Sequence, residues 1–244
     1  MSRTVTQTNP RTPGASERFF RESDYWRAWS RVPDATVDIA YALRAVHPTD
    51  RRVLDAPCGR GRLLKAAAQR APQAELYGVD VNRDMVAQAR SELPGTRVQL
   101  ASVYAMPFRD RSFDVVLCHE SFMHFDEPLR ALQELCRVSR DRVYFSVTTR
   151  RQLNTLLRRL GLLGRSDVPH WTYNLEEVRR LLPPDFTWSI VGGILVGRKA
   201  LRLSHAAHRR LHQALGRFIP QPVLKTFGQS LFVYGRRHAR LEAS

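Results

Sequence analysis

Asp55, Pro57, Gly59 and Gly61 fall within one short run, Val53-Leu54-Asp55-Ala56-Pro57-Cys58-Gly59-Arg60-Gly61-Arg62-Leu63-Leu64. An apolar stretch leads into two glycines and then into helix-forming residues. Glycines at 59 and 61 let the backbone approach a ligand closely, and the N–H groups that open the following helix would face it. A nucleotide over the carboxyl ends of a parallel sheet is the natural occupant. A dinucleotide loop would want a third glycine at position 64, where this chain has Leu64. Asp55 sits in the mouth of the loop, where a carboxylate would repel a pyrophosphate but suits ammonium and sulfonium charges. That description fits S-adenosylmethionine better than NAD. Asp80 stands 25 residues after Asp55, about where a carboxylate grips a ribose diol. Further on, His119, Glu120 and His124 form a group of titratable side chains fit for general acid–base work.

The elements that must position these groups can be read around them. Arg52–Asp55 reads as a buried strand, and a helix runs on through Ala66-Ala67-Ala68. Glu75–Asp80 reads as a second strand, Met85–Ser91 as a helix and Arg97–Leu100 as a third strand. The segment from Met106 turns into a fourth strand ending at Cys118, and Val143–Val147 reads as a fifth. His119 and Glu120 therefore come straight off the carboxyl end of the fourth strand, the edge that faces the ligand crevice in such sheets.

These residues carry a resemblance. Residues 52–148 resemble the class I methyltransferases of the ubiquinone/menaquinone-biosynthesis type, through VLDAPCGRG, GVD, AMPFRDRSFDVV, and HESFMHFDEP leading to LQELCRV. The resemblance covers 97 of 244 residues. It implies an α/β fold: a doubly wound, Rossmann-like seven-stranded sheet with the last strand antiparallel. N-terminal helices would cover the cofactor; a basic helical insertion before the last strand, read from the residues themselves, has no counterpart in the shared core. It further implies that Asp55, Pro57, Gly59 and Gly61 cradle the methionine end of S-adenosylmethionine. Asp80 would hold the ribose, and Val81, Ser102 and Val103 would border the adenine. Ser102 stands where the family usually has an acid. Arg140-Asp141-Arg142 replaces a usual Pro-Gly-Gly turn, a change that bears on loop geometry.

Methyl transfer from a sulfonium is an in-line displacement, so the protein mainly aligns acceptor and methyl and keeps water out. A hydroxyl acceptor must also lose a proton. His119 and Glu120 are the leading candidates to meet the substrate. His124 matches a histidine shared across unrelated acceptors in the family, which fits a residue bracing its loop. Tyr104 and Trp171 are candidate pocket walls, and Cys118 reads as a buried strand residue.

At 244 residues with 43 % hydrophobic and 25 % charged side chains, the chain reads as one soluble domain with additions. Residues 1–16 read as a loose tail, 17–50 as N-terminal helices and 51–148 as the cofactor-binding core. Residues 149–244 read as basic helices and C-terminal strands that complete the same domain. Cysteines 58, 118 and 136 have neither pairing nor metal-ligand spacing, so no metal is expected. A cytoplasmic setting follows, with room for a peripheral place on the inner face of the membrane.

Net charge is +16 and unevenly placed. Residues 1–141 hold 21 basic and 18 acidic side chains, a net of +3, whereas 142–244 hold 18 and 5, a net of +13. Two stretches show helical spacing among arginines: Leu153, Leu156, Leu157, Leu160 and Leu163, then Leu201, Ser204, His208, Leu211, Leu215 and Phe218, which alternate by three and four. Pro220 and Pro222 read as ending the second, and Ser230–Gly235 reads as the last strand. Such helices lie on anionic membrane surfaces or pack on their own domain. Three readings stay open: an enzyme for a small-molecule or lipid-linked, quinone- or polyprenyl-like hydroxyl or carbon acceptor; an RNA methyltransferase using the basic half; and a non-catalytic scaffold. Cys118-His119-Glu120-Ser121 stands where base-amino methylating enzymes have an Asn/Asp-Pro-Pro-aromatic tetrapeptide, which argues against nucleic acid.

Overall fold

A computed structural model describes residues 12–24, 36–150, 168–193, 204–215 and 218–239. The leucine-arginine stretch from 153 to 163, the aromatics Tyr25, Trp26 and Trp29, and Leu201 lie outside the described residues.

Seven strands make one sheet: β1 (Arg52–Asp55), β2 (Glu75–Asp80), β3 (Arg97–Leu100), β4 (Phe113–Cys118), β5 (Ser139–Thr148), β6 (Phe186–Gly193) and β7 (Ser230–Arg237). Their order across the sheet is β3-β2-β1-β4-β5-β7-β6. The first five are parallel, and β7 runs antiparallel between β5 and β6. The sheet is therefore the doubly wound, seven-stranded kind expected. Switching direction between β1 and β4 leaves a crevice at their carboxyl ends, beneath which Asp55 and Cys118 finish their strands.

Both faces of the sheet are covered, so alternate residues of one strand enter different cores. Val116 and Cys118 join Leu54, Phe122, Leu135 and Phe145 on one face, while Val115 and Leu117 join Val53, Ile39, Leu63 and Phe232 on the other. The described helices are α1 (Ala15–Glu22), α2 (Val37–Ala42), α3 (Arg62–Arg70), α4 (Arg83–Glu92), α5 (Pro128–Val138), α6 (Leu175–Leu181), α7 (His205–Leu215) and α8 (Gln221–Phe227). Helix α2 tightens into a 3-10 turn over Leu43–Ala45.

Three segments differ from the sequence reading. Strand β5 begins at Ser139, because Arg140 and Arg142 replace a turn with extended backbone and tie it down by ion pairs to Asp114 and Asp50. Helix α5 consequently runs into β5 without a loop. Pro220 and Pro222 do more than end a helix: Pro220 caps α8 and Pro222 sits in its first turn, where a missing N–H costs nothing.

Candidate active site

The glycine loop is held open by backbone demands. Gly61 caps α3 at φ 86°, a left-handed conformation that favours glycine, and a Cβ there would press on the Leu93 side chain at 2.6 Å. Gly59, at φ 52°, gives its N–H to Asp80 Oδ2 at 2.8 Å. Asp80 Oδ1 accepts from Asn82 N at 2.9 Å, and Asn82 caps α4 by accepting from Asp84 N and Met85 N, both at 3.0 Å. Asp80 thus clamps the loop to β2 while still facing the cavity, and burial raises its pKa against the pull of those amides. The Ala56–Pro57 peptide bond is cis.

A cavity of about 200 Å³ opens over this loop. Asp55, Pro57, Gly59, Asp80, Val81, Val103, His119, Glu120 and His124 all line it. Gly61 and Ser102 do not line it but flank residues that do. Tyr104 is a wall, its hydroxyl donating to Asp126 Oδ1 at 2.7 Å, whereas Trp171 is not among the lining residues. Cys118 is fully buried in β4, where burial pushes its thiol pKa up.

Asp55 is the most telling of these groups. It is only 2 % exposed, and its Oδ1 has no hydrogen-bond partner. Burial pushes its pKa up to about 8. A buried carboxyl oxygen with no donor beside it is costly unless a ligand completes it. A ligand with a positive end, such as the methionine end of S-adenosylmethionine, answers that vacancy in donors, so the residues fit this cofactor.

At the other side of the cavity stands a cluster that the sequence only half revealed. His119 Nε2 is hydrogen-bonded to Asp38 Oδ2 at 2.9 Å, and its Nδ1 to the Tyr144 hydroxyl at 3.0 Å. Burial works against a charged imidazole, but the hydrogen bond and charge of Asp38 prevail and hold the His119 pKa above its usual value. Burial likewise opposes the Asp38 carboxylate, yet His119 holds its pKa well below the usual range. Each partner thus favours the charged form of the other, and both ring nitrogens are hydrogen-bonded.

Glu120 lies beside this pair, with a side-chain nitrogen or oxygen of each of the three residues within 4.8 Å of the others. Burial first, then the Asp38 charge, push its pKa up to about 7, while His119 and Arg62 pull it down. Its backbone is in the left-handed region at φ 50°, pinned by its N–H to Ser146 Oγ at 2.8 Å. That conformation costs a non-glycine residue of order 1 kcal/mol or more and aims the chain away from the strand. His124 differs again: its Nδ1–H is given to Pro169 O at 2.5 Å, and burial lowers its pKa to about 4, so the ring stays neutral. It packs 4.9 Å from the Phe20 ring.

Helix α1 closes the cavity from above. Ser16 N donates to Asp126 Oδ2 at 3.1 Å, Ser16 Oγ donates to His124 O, and Asn82 Nδ2 donates to Phe20 O at 2.9 Å. Asp38, Ser16, Glu17 and Tyr144 were missed in the sequence because their partners are distant in the chain. Asn82 was findable as an N-cap signal directly before a helix.

Residues 54–147 match the family described as "Methyltransferase domain". An uncharacterized methyltransferase of Schizosaccharomyces pombe is 31 % identical over 124 residues, 46 % of this chain and 43 % of that protein. A demethylmenaquinone methyltransferase of Thermus thermophilus is 38 % identical over 117 residues, 45 % of this chain and 53 % of that protein. The chain thus spans about half the length of these relatives. The plantazolicin methyltransferase BpumL, solved with a desmethyl substrate analog and SAH, is 19 % identical. It shares the fold with a TM-score of 0.64 over 92 % of this chain and 94 % of its own. Residues 54–147 therefore match a methyltransferase domain, and the chain resembles methyltransferases of the quinone-biosynthesis type in sequence and S-adenosylmethionine-dependent ones in fold.

Proposed function

We propose that this chain moves the methyl group of S-adenosylmethionine to a hydroxyl or carbon of a small-molecule or lipid-linked, quinone-like acceptor. The observation that carries the reading is the buried, donorless Oδ1 of Asp55 over the glycine loop. Asp55 takes the ammonium end of the cofactor, Asp80 the ribose hydroxyls, and the backbone at Gly59 and Gly61 comes close to the chain between them. Pro57 shapes that loop, and Val81, Ser102 and Val103 border the adenine. When bound, the cofactor supplies an electrophilic methyl group.

Glu120 receives the acceptor's proton. A base works best when its pKa lies near the working pH, and a carboxyl near pH 7 meets that condition. The Asp38–His119 couple fixes Glu120's surroundings, the Asp38 charge holding its pKa up while His119 pulls it down. Helix α1, through Phe20 and the neutral His124 ring, keeps water from the site.

The acceptor class is supported by the relative that methylates demethylmenaquinone and by a surface feature. Phe218, Val223 and Phe227 are 82 %, 41 % and 52 % exposed, an apolar group on and before α8 in the basic half. Helix α8 leads to Gln229, whose carbonyl accepts from Thr149 N at the carboxyl edge of β5. These exposed apolar side chains therefore lie toward the same edge of the sheet as the cavity, as suits an acceptor presented by a membrane. Among the described residues no helix is long and apolar enough to cross a membrane.

The test uses methyl-labelled S-adenosylmethionine, purified protein and an extract of the source cells, separated into organic, aqueous small-molecule and nucleic-acid fractions. Label in the organic or small-molecule fraction is expected. Label confined to nucleic acid, or no transfer at all, would overturn the proposal.

A further inference from the structure

We propose that Glu17, on the lid helix, reads the exocyclic amine of the cofactor's purine; this rests on the cofactor reading above. Asp80 is followed directly by Val81, so a ribose held at Asp80 places its base along the wall that Val81 begins. That wall continues through Met85, Ala101 and Val103, all apolar. Such a surface suits the flat faces of a purine but offers nothing to the hydrogen-bond donors at its edge. The amine of adenine is a donor, and burying it without an acceptor is costly.

Glu17 lines the same cavity and brings the acceptor. Its Oε2 accepts from Ser102 Oγ at 2.8 Å and its Oε1 from Arg21 at 2.6 Å, and its side chain is only 17 % exposed. Each carboxylate oxygen takes more than one hydrogen bond, so capacity for the amine remains. The Ser102 hydroxyl itself is committed, donating to Glu17 and accepting from Tyr104 N at 3.1 Å. Position 102 thus carries no acid of its own, and its hydroxyl instead orients a carboxylate that arrives from a helix 85 residues earlier. Cofactor recognition is thereby built partly from the lid: the carboxylate reaches the purine only while Ser16 and Phe20 hold α1 to Asp126, His124 and Asn82.

The experiment is calorimetric binding of S-adenosylhomocysteine and of its hypoxanthine counterpart, in which oxygen replaces the amine. The protein as it stands is expected to favour the adenine form by roughly tenfold or more, the worth of one hydrogen bond to a charged group. Glu17→Gln keeps the side chain's shape and presents both a donor and an acceptor, so the preference should collapse to near unity. Glu17→Ala combined with Ser102→Asp should recover it, since the acid then comes from position 102 directly. If Glu17→Gln keeps the full preference for adenine, or the unaltered protein shows none, the assignment to Glu17 is overturned and the cofactor reading stands. If the unaltered protein binds neither compound, both fall together.

Discussion

Asp55→Asn should make the unliganded protein more stable and its cofactor binding poorer, and the sizes follow from one buried carboxyl. The Asp55 pKa of about 8 lies far above its ordinary value of 3.8 because the ionised form is desolvated. The folded chain therefore holds a proton that the unfolded chain has lost throughout the window between those values. Stability from this group falls as pH rises from about 4 to 8, and the deficit at pH 7 is about 4 kcal/mol. Asparagine has no charge to desolvate, but its amide gains no partner either, so a gain of about 2–4 kcal/mol at pH 7 and little at pH 4 is expected. Urea melts at the two pH values read this out. Binding gives the second measurement. At pH 7 about nine-tenths of Asp55 is protonated, and a cationic ligand must displace that proton. Between pH 5.5 and 7 the ligand's ammonium stays charged, so each pH unit should tighten binding about tenfold, with close to one proton released. Calorimetry in buffers of different ionisation heat counts that proton, and Asp55→Asn should remove it from the count. Equal proton release in the two proteins, or equal stability at pH 7, would refute the reasoning.

Other perturbations reach different parts of the molecule. Glu120→Gln should cost about 10²–10⁴ in turnover, and the unaltered enzyme's rate should rise through a midpoint near pH 7 as Glu120 ionises; a flat profile would point to another base. Asp80→Ala should weaken S-adenosylhomocysteine binding by about 1.5–3 kcal/mol, read by calorimetry, and intact binding would count against the ribose assignment. Arg142 joins Ala45 O at 2.7 Å and the Asp50 and Asp141 carboxylates, so Arg142→Ala should cost about 3 kcal/mol in a urea melt by stranding buried Asp50. Replacing Phe218 and Phe227 with Ser should weaken sedimentation with anionic vesicles at least tenfold, given about 1.5–3 kcal/mol per buried aromatic; unaffected binding would remove α8 from the membrane face.

What could be read in the sequence and what could not divides along chain separation. β1, β2 and β3 match their expected limits because each is a short segment with a local strand pattern between turn residues. Asp55, Asp80, His119 and Glu120 were visible because a strand's carboxyl end is a local signal. The couple that engages His119 was not, since Asp38 lies 81 residues away and looks like any acid in the first turn of a helix. Only three-dimensional placement shows that both ring nitrogens of His119 are hydrogen-bonded. The early start of β5 was hidden because Ser139–Arg142 is polar, and its partners Asp50 and Asp114 sit in other segments. Helix α8 was missed because prolines that open a helix and prolines that stop one look alike in a bare sequence.

The contacts that seal the site join Ser16 to Asp126, Glu17 to Ser102 and Asp38 to His119, across 110, 85 and 81 residues. Closing loops of that size has an entropic cost, and α1 fully buries only Ser16 to repay it, so its docking is expected late as the chain folds. The parallel strands around β1 and β4 can assemble first, leaving a transient species with a formed sheet and an open crevice. During refolding, amides of β1, β2 and β4 should gain exchange protection before those of α1, and ligand affinity should lag behind the recovery of secondary structure.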